Sequence, residues 1–393
     1  MKEQSVFTND RITDKEAFLI EGADIASPHR VITTEVSDEA LRRGELFSNM
    51  IKDGFIADFE KPGDRMAHVS TFAFIDGMIY MTYYANTSTA AEDPNFQTAR
   101  LAFCPEDDPA KMTWLDIQSV GDEVAGRRVN MVYDTIFARV GEDQLYVLWT
   151  AKVEDNYYRL YRPFDLKTKT LGEVGVNRLR VGDVTNDFSA SGIVSALASN
   201  GVGHKTMYSD IGIMQKFTSR VENGETWYYT GAYSGDFNWV IKSRDFITWD
   251  YVTQPDFPNQ SKWENAVYVL DNKLYYFVRQ QDFTVGGFLA VYDLEKKTWG
   301  KPVEIGDAQS RSDFIYYDGG LYLFHAPIDR EHIGMVKIDT DDIEKSEVVF
   351  QAKMPTSCFY PFIQYKKEGS LAMSYTVNRQ HIRLAAFDMA ALL

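Results

Sequence analysis

Ionisable and phenolic side chains recur at one kind of position along this chain. His68, Asp134, Asp210, Glu264, Arg311 with Asp313, and Tyr360 each stand at the start of a strand-like run, and Asn86, Lys152, Tyr233, Arg279, His325, and Asn378 with Arg379 each close the run that follows. If the two sets meet, carboxylates, cations and a tyrosine share one site. Two carboxylates in unlike surroundings suit cleavage of a glycosidic bond, because one group must protonate the leaving oxygen while another acts as base or nucleophile. A tyrosine, with a free pKa of about 10, attacks only when a neighbouring carboxylate takes its proton. Arginine suits an acidic substrate, since its planar fork grips a carboxylate through two parallel hydrogen bonds.

The elements that must position these residues are repeated hairpins. WENAVYVLDNKLYYFVRQ (263–280) and SRSDFIYYDGGLYLFHAP (310–327) each read as strand, two-residue turn and strand, and the same pattern begins at His68, Tyr133, Ser209 and Phe359. Hairpin tips fall near Gly77, Gly141, Gly224, Asn272, Gly319 and Gly369, the last three intervals being 47 to 50 residues. A third strand follows several of them, as in WVIKSRDF, GFLAVYDL, GMVKID and IRLAAFD. Three or four strands in such a period is one blade of a β-propeller. The expectation is an all-β propeller, six blades over five or seven, and over a β-sandwich, whose strands rarely recur so regularly. In a propeller the innermost strand lines the channel and the next returns to the same face, so the two sets of residues converge on one funnel.

No Pro/Gly/Ser-rich linker divides the chain, so one domain is expected over 1–393, with blades in 68–393 and a less regular segment in 1–67. Within that segment EAFLIEGADI, from Glu16, is a candidate outermost strand for the last blade, closing the ring, and SDEALRRGELFSNMIKDGF, from Ser37, reads as a short helix or a loop.

Charge and composition narrow the partners. A net charge of -16, from 41 Lys and Arg against 57 Asp and Glu, argues against nucleic acid and anionic membranes, both of which need a positive field. Aromatic residues make up 14% of the chain and fit pleated, half-buried surfaces. Cys104 and Cys358 stand far apart with no metal-ligand spacing, and no His pair has one either, so no cofactor is expected; a cation in the central channel is left open. The N-terminus lacks the apolar core of a secretory signal and no apolar run approaches about 18 residues, which points to a soluble, cytoplasmic protein.

At these residues the chain resembles the sialidase superfamily of propeller glycosidases. The resemblance implies that Glu264, before the first strand of the fourth blade, polarises a nucleophilic Tyr360 from the sixth, and that Arg279, about 15 residues after Glu264, holds a substrate carboxylate with Arg311. It implies an Asp acid from a loop after the first hairpin, for which Asp93 matches, with Glu92 beside it. The sequence departs from the family where a first-blade Arg is replaced by His68, leaving Arg65 or Arg379 to complete an arginine cluster and making sialic acid a doubtful substrate. The turn SRDFITW (Ser243, Asp245, Trp249) is shorter than the sialidase blade turn and is similar to that of family 43 glycosidases; in either family it is structural. Likeness to family 43 would instead give Asp134, Asp210 and Glu264 the three catalytic carboxylate roles.

The leading expectation is therefore a glycoside hydrolase acting on an oligosaccharide, one with an acidic sugar among the candidates. Glu264, Tyr360, Asp93 and Asp134 are the catalytic candidates, and His68, Asp210, Tyr233, Arg279, Arg311, Asp313, His325 and Arg379 those for substrate contact. Trp149, Tyr233 and Trp239 are candidate stacking platforms. The alternatives are a uronate lyase using His68, Tyr133 or Tyr360 as base with Arg279 neutralising the carboxylate, and a non-catalytic glycan- or protein-binding propeller.

Overall fold

The computed structural model describes residues 6–8, 31–32, 36–202, 210–213, 215–235, 237–255, 264–280, 285–327, 329–367 and 369–393. The fold is a β-propeller, and the strands among the described residues fall into six sheets. In chain order the innermost strands of the sheets are Met66–Ile75, Arg127–Val140, Ile211–Gly212 continued by Thr218–Glu222, Asn265–Leu270, Asp313–Tyr317 and Cys358–Lys367. Each pairs antiparallel with the strand that follows it. Neighbouring sheets pack in a closed cycle, the sixth returning against the first through Cys358–Lys367 and Met66–Ile75.

The repeated turns explain why the hairpins form where they do. Asp76-Gly77, Asn223-Gly224 and Asp318-Gly319 all have both residues at positive φ, the backbone of the tight turn that matches strand twist and that Asp, Asn and Gly tolerate best. A second device ends the third strands. Asp165, Asp293 and Asp339 each accept the N–H groups two and three residues on, at 2.7 to 3.0 Å, and these backbone donors hold all three carboxyls below their usual range. Asp245 of SRDFITW accepts backbone N–H groups at the same two positions, with Ile247 and Thr248 donating at 2.9 and 2.8 Å, while Trp249 is buried against Phe217 and Phe246. That turn is structural, as read from the sequence.

The ring is closed by Phe55–Asp58, which pairs antiparallel with His381–Asp388 as the outer strand of the sixth sheet. Arg383 locks the join through two hydrogen bonds to Asp58, at 2.8 and 3.0 Å. The closing strand thus comes from the 1–67 segment, while the candidate run 16–25 lies outside the described residues. The stretch before the closing strand is helix α1, Asp38–Asp53. Ser37 caps it by accepting from the Ala40 N–H at 3.1 Å, and Asp38 and Glu39 face the partial positive charge of its first turn. Gly44 lies against the Gln351 carbonyl, where any Cβ would collide, so the helix docks tightly on Glu347–Lys353.

Phe47 is the anchor of that docking. It is fully buried, stacks on Phe350 with ring centroids 4.6 Å apart and meets Phe387 edge-on at 5.2 Å, so one side chain ties the fifth sheet to the sixth. Phe47→Ala is expected to cost about 3–5 kcal/mol in denaturant unfolding with little change in activity of the folded fraction.

Candidate active site

A cleft of about 600 Å³ opens at one mouth of the channel. Three inner strands enter it through the same distortion. Their registers shift between His68 and Thr71, between Tyr133 and Ile136, and between Phe359 and Phe362, and the bulged residues Val69, Asp134 and Tyr360 have φ of 54°, 53° and 64°. A bulge with a non-glycine residue in the left-handed region costs on the order of 1–2 kcal/mol and re-aims its side chain. Here it turns Asp134 and Tyr360 onto the cleft wall. The equivalent residue of the first sheet is thus Val69, and His68 is equivalent to Tyr133 and Phe359, one place off the alignment read from the sequence.

At the cleft floor Tyr360 donates its hydroxyl to Glu264 Oε1, and Arg279 donates to Oε2 of the same carboxylate. Glu264 is 1% exposed and Arg279 6%, so the pair holds its geometry with little competition from water. Burial, then the Glu264 and Glu92 carboxylates, drive the Tyr360 phenol well above its usual pKa, so Tyr360 keeps its proton until a reaction draws it to Glu264.

A second tyrosine–carboxylate pair lies on the same cleft, where Tyr233 donates to Asp134 Oδ2. Gly212 makes room for that carboxyl, since a Cβ there would collide with both Oδ2 and the Tyr233 ring. Buried Arg159 pins the strained backbone by donating to the Asp134 carbonyl at 2.7 Å and to the Ile213 carbonyl at 3.0 Å. Burial raises the Asp134 carboxyl to about 7; Asp210 and Glu92 add to the rise, and Tyr233 and Arg159 oppose it.

The third pair is Tyr84 and Glu92, 2.5 Å apart. Arg379 approaches Glu92 at 3.4 Å, and Arg330 and Arg379 lie over the Phe359 ring at 5.1 and 5.6 Å. Both arginines line the cleft. His68 stands behind Tyr360 instead of lining the cleft: its ring stacks on the phenol at 4.5 Å, its Nδ1 meets Thr376 Oγ1 at 2.9 Å and its Nε2 lies 3.8 Å from Glu92. Burial, helped by Arg379, Arg330 and Arg311, pushes its pKa well below the usual value, so it is a neutral support for the Tyr360 ring.

Of the residues picked from the sequence, Asp134, Asp210, Tyr233, Glu264, Arg279, Tyr360 and Arg379 line this cleft. Four others are placed elsewhere. Asp93 caps the short Pro94–Phe96 turn, accepting from the Asn95 N–H at 3.0 Å and side-chain amide at 2.7 Å, and its neighbour Glu92 faces the cleft instead. Asp313 is buried in an ion pair with Lys216 at 2.9 Å and accepts from the Ile363 N–H at 2.7 Å, a packing role between the inner strands. Arg311 is fully buried beneath the cleft, bonded to the Ser70 carbonyl at 3.1 Å and over the Phe362 ring at 5.4 Å. His325 ends its strand opposite Gly334, buried in the fifth sheet with Asp307 nearby. Trp149 and Trp239 are fully buried in the sheet cores, so neither is a platform.

Arg330 and Tyr84 escaped the sequence reading. Arg330 follows the second strand of the fifth sheet by five residues, and the end-of-strand rule pointed to His325 instead. Tyr84 sits two places before Asn86, on the same side of the alternating strand, where residue type alone reads as core. Among the described residues, one set of side chains has metal-ligand spacing, Asp58, Glu60 and His381 within 4.8 Å of one another. They hold the ring closure instead: His381 bonds Glu60 at 2.6 Å and Asp58 is taken by Arg383. Among the described residues no helix is long and apolar enough to cross a membrane.

No protein-family model and no curated protein matches the chain. Among solved structures the fold is similar to that of several sialidases. It is similar to the NanB sialidase of Streptococcus pneumoniae (TM-score 0.56, 9% identity, covering 86% of this chain and 71% of that one). It is also similar to Trypanosoma rangeli sialidase in complex with sialic acid, at TM-score 0.53 and 15% identity, covering 86% of this chain and 57% of that one. The chain therefore spans little more than half the length of the trypanosomal enzyme. A protein of unknown function from Dyadobacter fermentans matches over 98% of its own length and 85% of this chain, at TM-score 0.55 and 12% identity.

Proposed function

We propose that the protein is a retaining glycoside hydrolase in which Tyr360 is the nucleophile, Glu264 its base and Asp134 the proton donor. The observation that carries this reading is the Tyr360–Glu264 hydrogen bond on the cleft floor, made by residues of two different sheets and reinforced by Arg279. Tyr360 Oη attacks the anomeric carbon as its proton passes to Glu264 Oε1, and the leaving oxygen takes the proton of Asp134. Water then attacks the anomeric carbon, losing a proton to Asp134, as the bond from that carbon to Tyr360 Oη breaks and Glu264 returns its proton to the departing phenolate. Two displacements restore the starting configuration. Asp134, whose carboxyl burial raises to about 7, and the Arg-bound Glu264 are carboxyls in unlike environments, as such a division of labour requires.

Arg330 and Arg379 support an acidic sugar as substrate, because both line the cleft beside Tyr360 while Arg279 is committed to Glu264 and Arg311 is buried. Aryl glycosides of sialic acid, of uronic acids and of neutral sugars, together with 4-linked uronate oligosaccharides, test the reading, with released phenol or reducing ends and the absorbance of an unsaturated uronate followed together. Phenol release without the absorbance of an unsaturated uronate is expected for an acidic sugar. Arg330→Met and Arg379→Met should each raise KM for that substrate by at least about tenfold, the range for a lost charged hydrogen bond, and leave neutral glycosides unaffected. New absorbance would show a lyase, and binding without turnover a non-catalytic propeller.

A further inference from the structure

We propose that a second cavity, at the opposite mouth of the channel, binds a neutral pyranose sugar. The inner strands that carry Asp134 and Tyr360 into the cleft continue to Ile136–Arg139 and to Phe362 and Gln364, which line this cavity of about 430 Å³ together with Gly141 at a hairpin tip. It is therefore a separate site on the far face, within the size range of small-molecule pockets.

Gln215 is part of its lining. This side chain is 1% exposed, and neither its amide nitrogen nor its amide oxygen has a hydrogen-bond partner. A buried amide left without partners is costly, so such a group normally faces something that satisfies it. The rest of the wall defines that something. Phe137, Phe217 and Tyr228 present partly exposed rings, with Tyr228 and Phe217 braced on Phe246 at 4.4 and 5.1 Å. Charge on the wall is already balanced: Lys216 is held by Asp313 at 2.9 Å and the Ile363 carbonyl at 2.5 Å, and Arg139 at the rim lies 3.8 Å from Asp76. A ligand here is neutral, offers a donor and an acceptor side by side, and has a C–H face to lay on aromatic rings. Vicinal hydroxyls on a pyranose meet all three conditions, because each hydroxyl both donates and accepts.

Saturation-transfer NMR on the full chain tests this with methyl β-glucopyranoside, methyl β-galactopyranoside and the methyl glycoside of N-acetylglucosamine. Transfer to at least one of them is expected, retained in Tyr360→Phe and reduced at least fivefold in Gln215→Leu. Phe137→Ser provides the same loss through the ring wall should Gln215→Leu fail to fold. Absence of transfer from the unaltered protein, meaning that the cavity holds only water, overturns the proposal. So does transfer that survives both cavity variants or that disappears in Tyr360→Phe. The readout is binding at Gln215 and not turnover, so a cleft that cleaves nothing leaves this site standing.

Discussion

Tyr360→Phe and Glu264→Gln are each expected to lower kcat/KM by about a thousandfold or more, and the double variant to lose little beyond the worse single one. The physical reason is that the two side chains act as one unit. Buried Tyr360 is a neutral phenol, and the nucleophile exists only while Glu264 accepts the proton. Without the carboxylate the phenol does not ionise at an attacking distance, and without the phenol the carboxylate has nothing to activate. Steady-state kinetics on the four proteins of this cycle decide the matter. Losses that multiply would show that the two groups work independently, and the assignment of Tyr360 as nucleophile would fall. Glu264→Gln also leaves Arg279 beside an uncharged amide in a buried setting, so its folding is checked by thermal unfolding before its kinetics are compared.

The second large effect is on pH dependence. The donor form of Asp134 is the protonated one, and burial brings its carboxyl to about 7, so kcat/KM should fall on the alkaline side through a limb centred near that pH. Asp134→Asn should cost about a hundredfold to ten-thousandfold with a poor leaving group, and much less with a good leaving group such as a nitrophenol, which departs without a proton. The alkaline limb should vanish in the variant. A limb that persists unchanged in Asp134→Asn would transfer the acid role to another carboxyl, Glu92 being next on the cleft wall.

Stability carries the same signature with a definite sign. The folded-state pKa of Asp134 lies above its ordinary value of 3.8, so its contribution is fully present below that value and is lost as pH rises through about 7. Denaturant unfolding across this window should show the unaltered protein losing stability relative to Asp134→Asn as the carboxyl ionises in place.

Much of this architecture is legible in the order of the residues. Turn pairs such as Asp76-Gly77 and Asp318-Gly319 announce hairpins because few other residues accept their backbone, and the recurrence of those hairpins announces a propeller. The propeller in turn says that strand starts and strand ends share a face, which is enough to bring Glu264, Arg279, Tyr360, Asp134, Tyr233 and Arg379 together from sheets far apart in the chain. Local periodicity and chain topology determine these things, and both are written in the order of the residues.

What the tertiary structure alone decided is which of two adjacent or similar residues faces the cleft. The bulges at Val69, Asp134 and Tyr360 shift side chains by one place, and a strand's period of two turns a one-residue shift into the opposite face. That is why His68 stands behind Tyr360 and not in front of it. Asp93 against Glu92 was settled by a local competition, since Asp93 is drawn off to cap the Pro94–Phe96 turn. Arg311 against Arg330 was settled by depth: one guanidinium is sealed beneath the cleft and the other reaches its wall from a loop, a difference that depends on how the fifth and sixth sheets pack. The raised carboxyl of Asp134 is of the same kind, because burial and the spacing of Asp210, Glu92, Tyr233 and Arg159 around it come from three sheets at once.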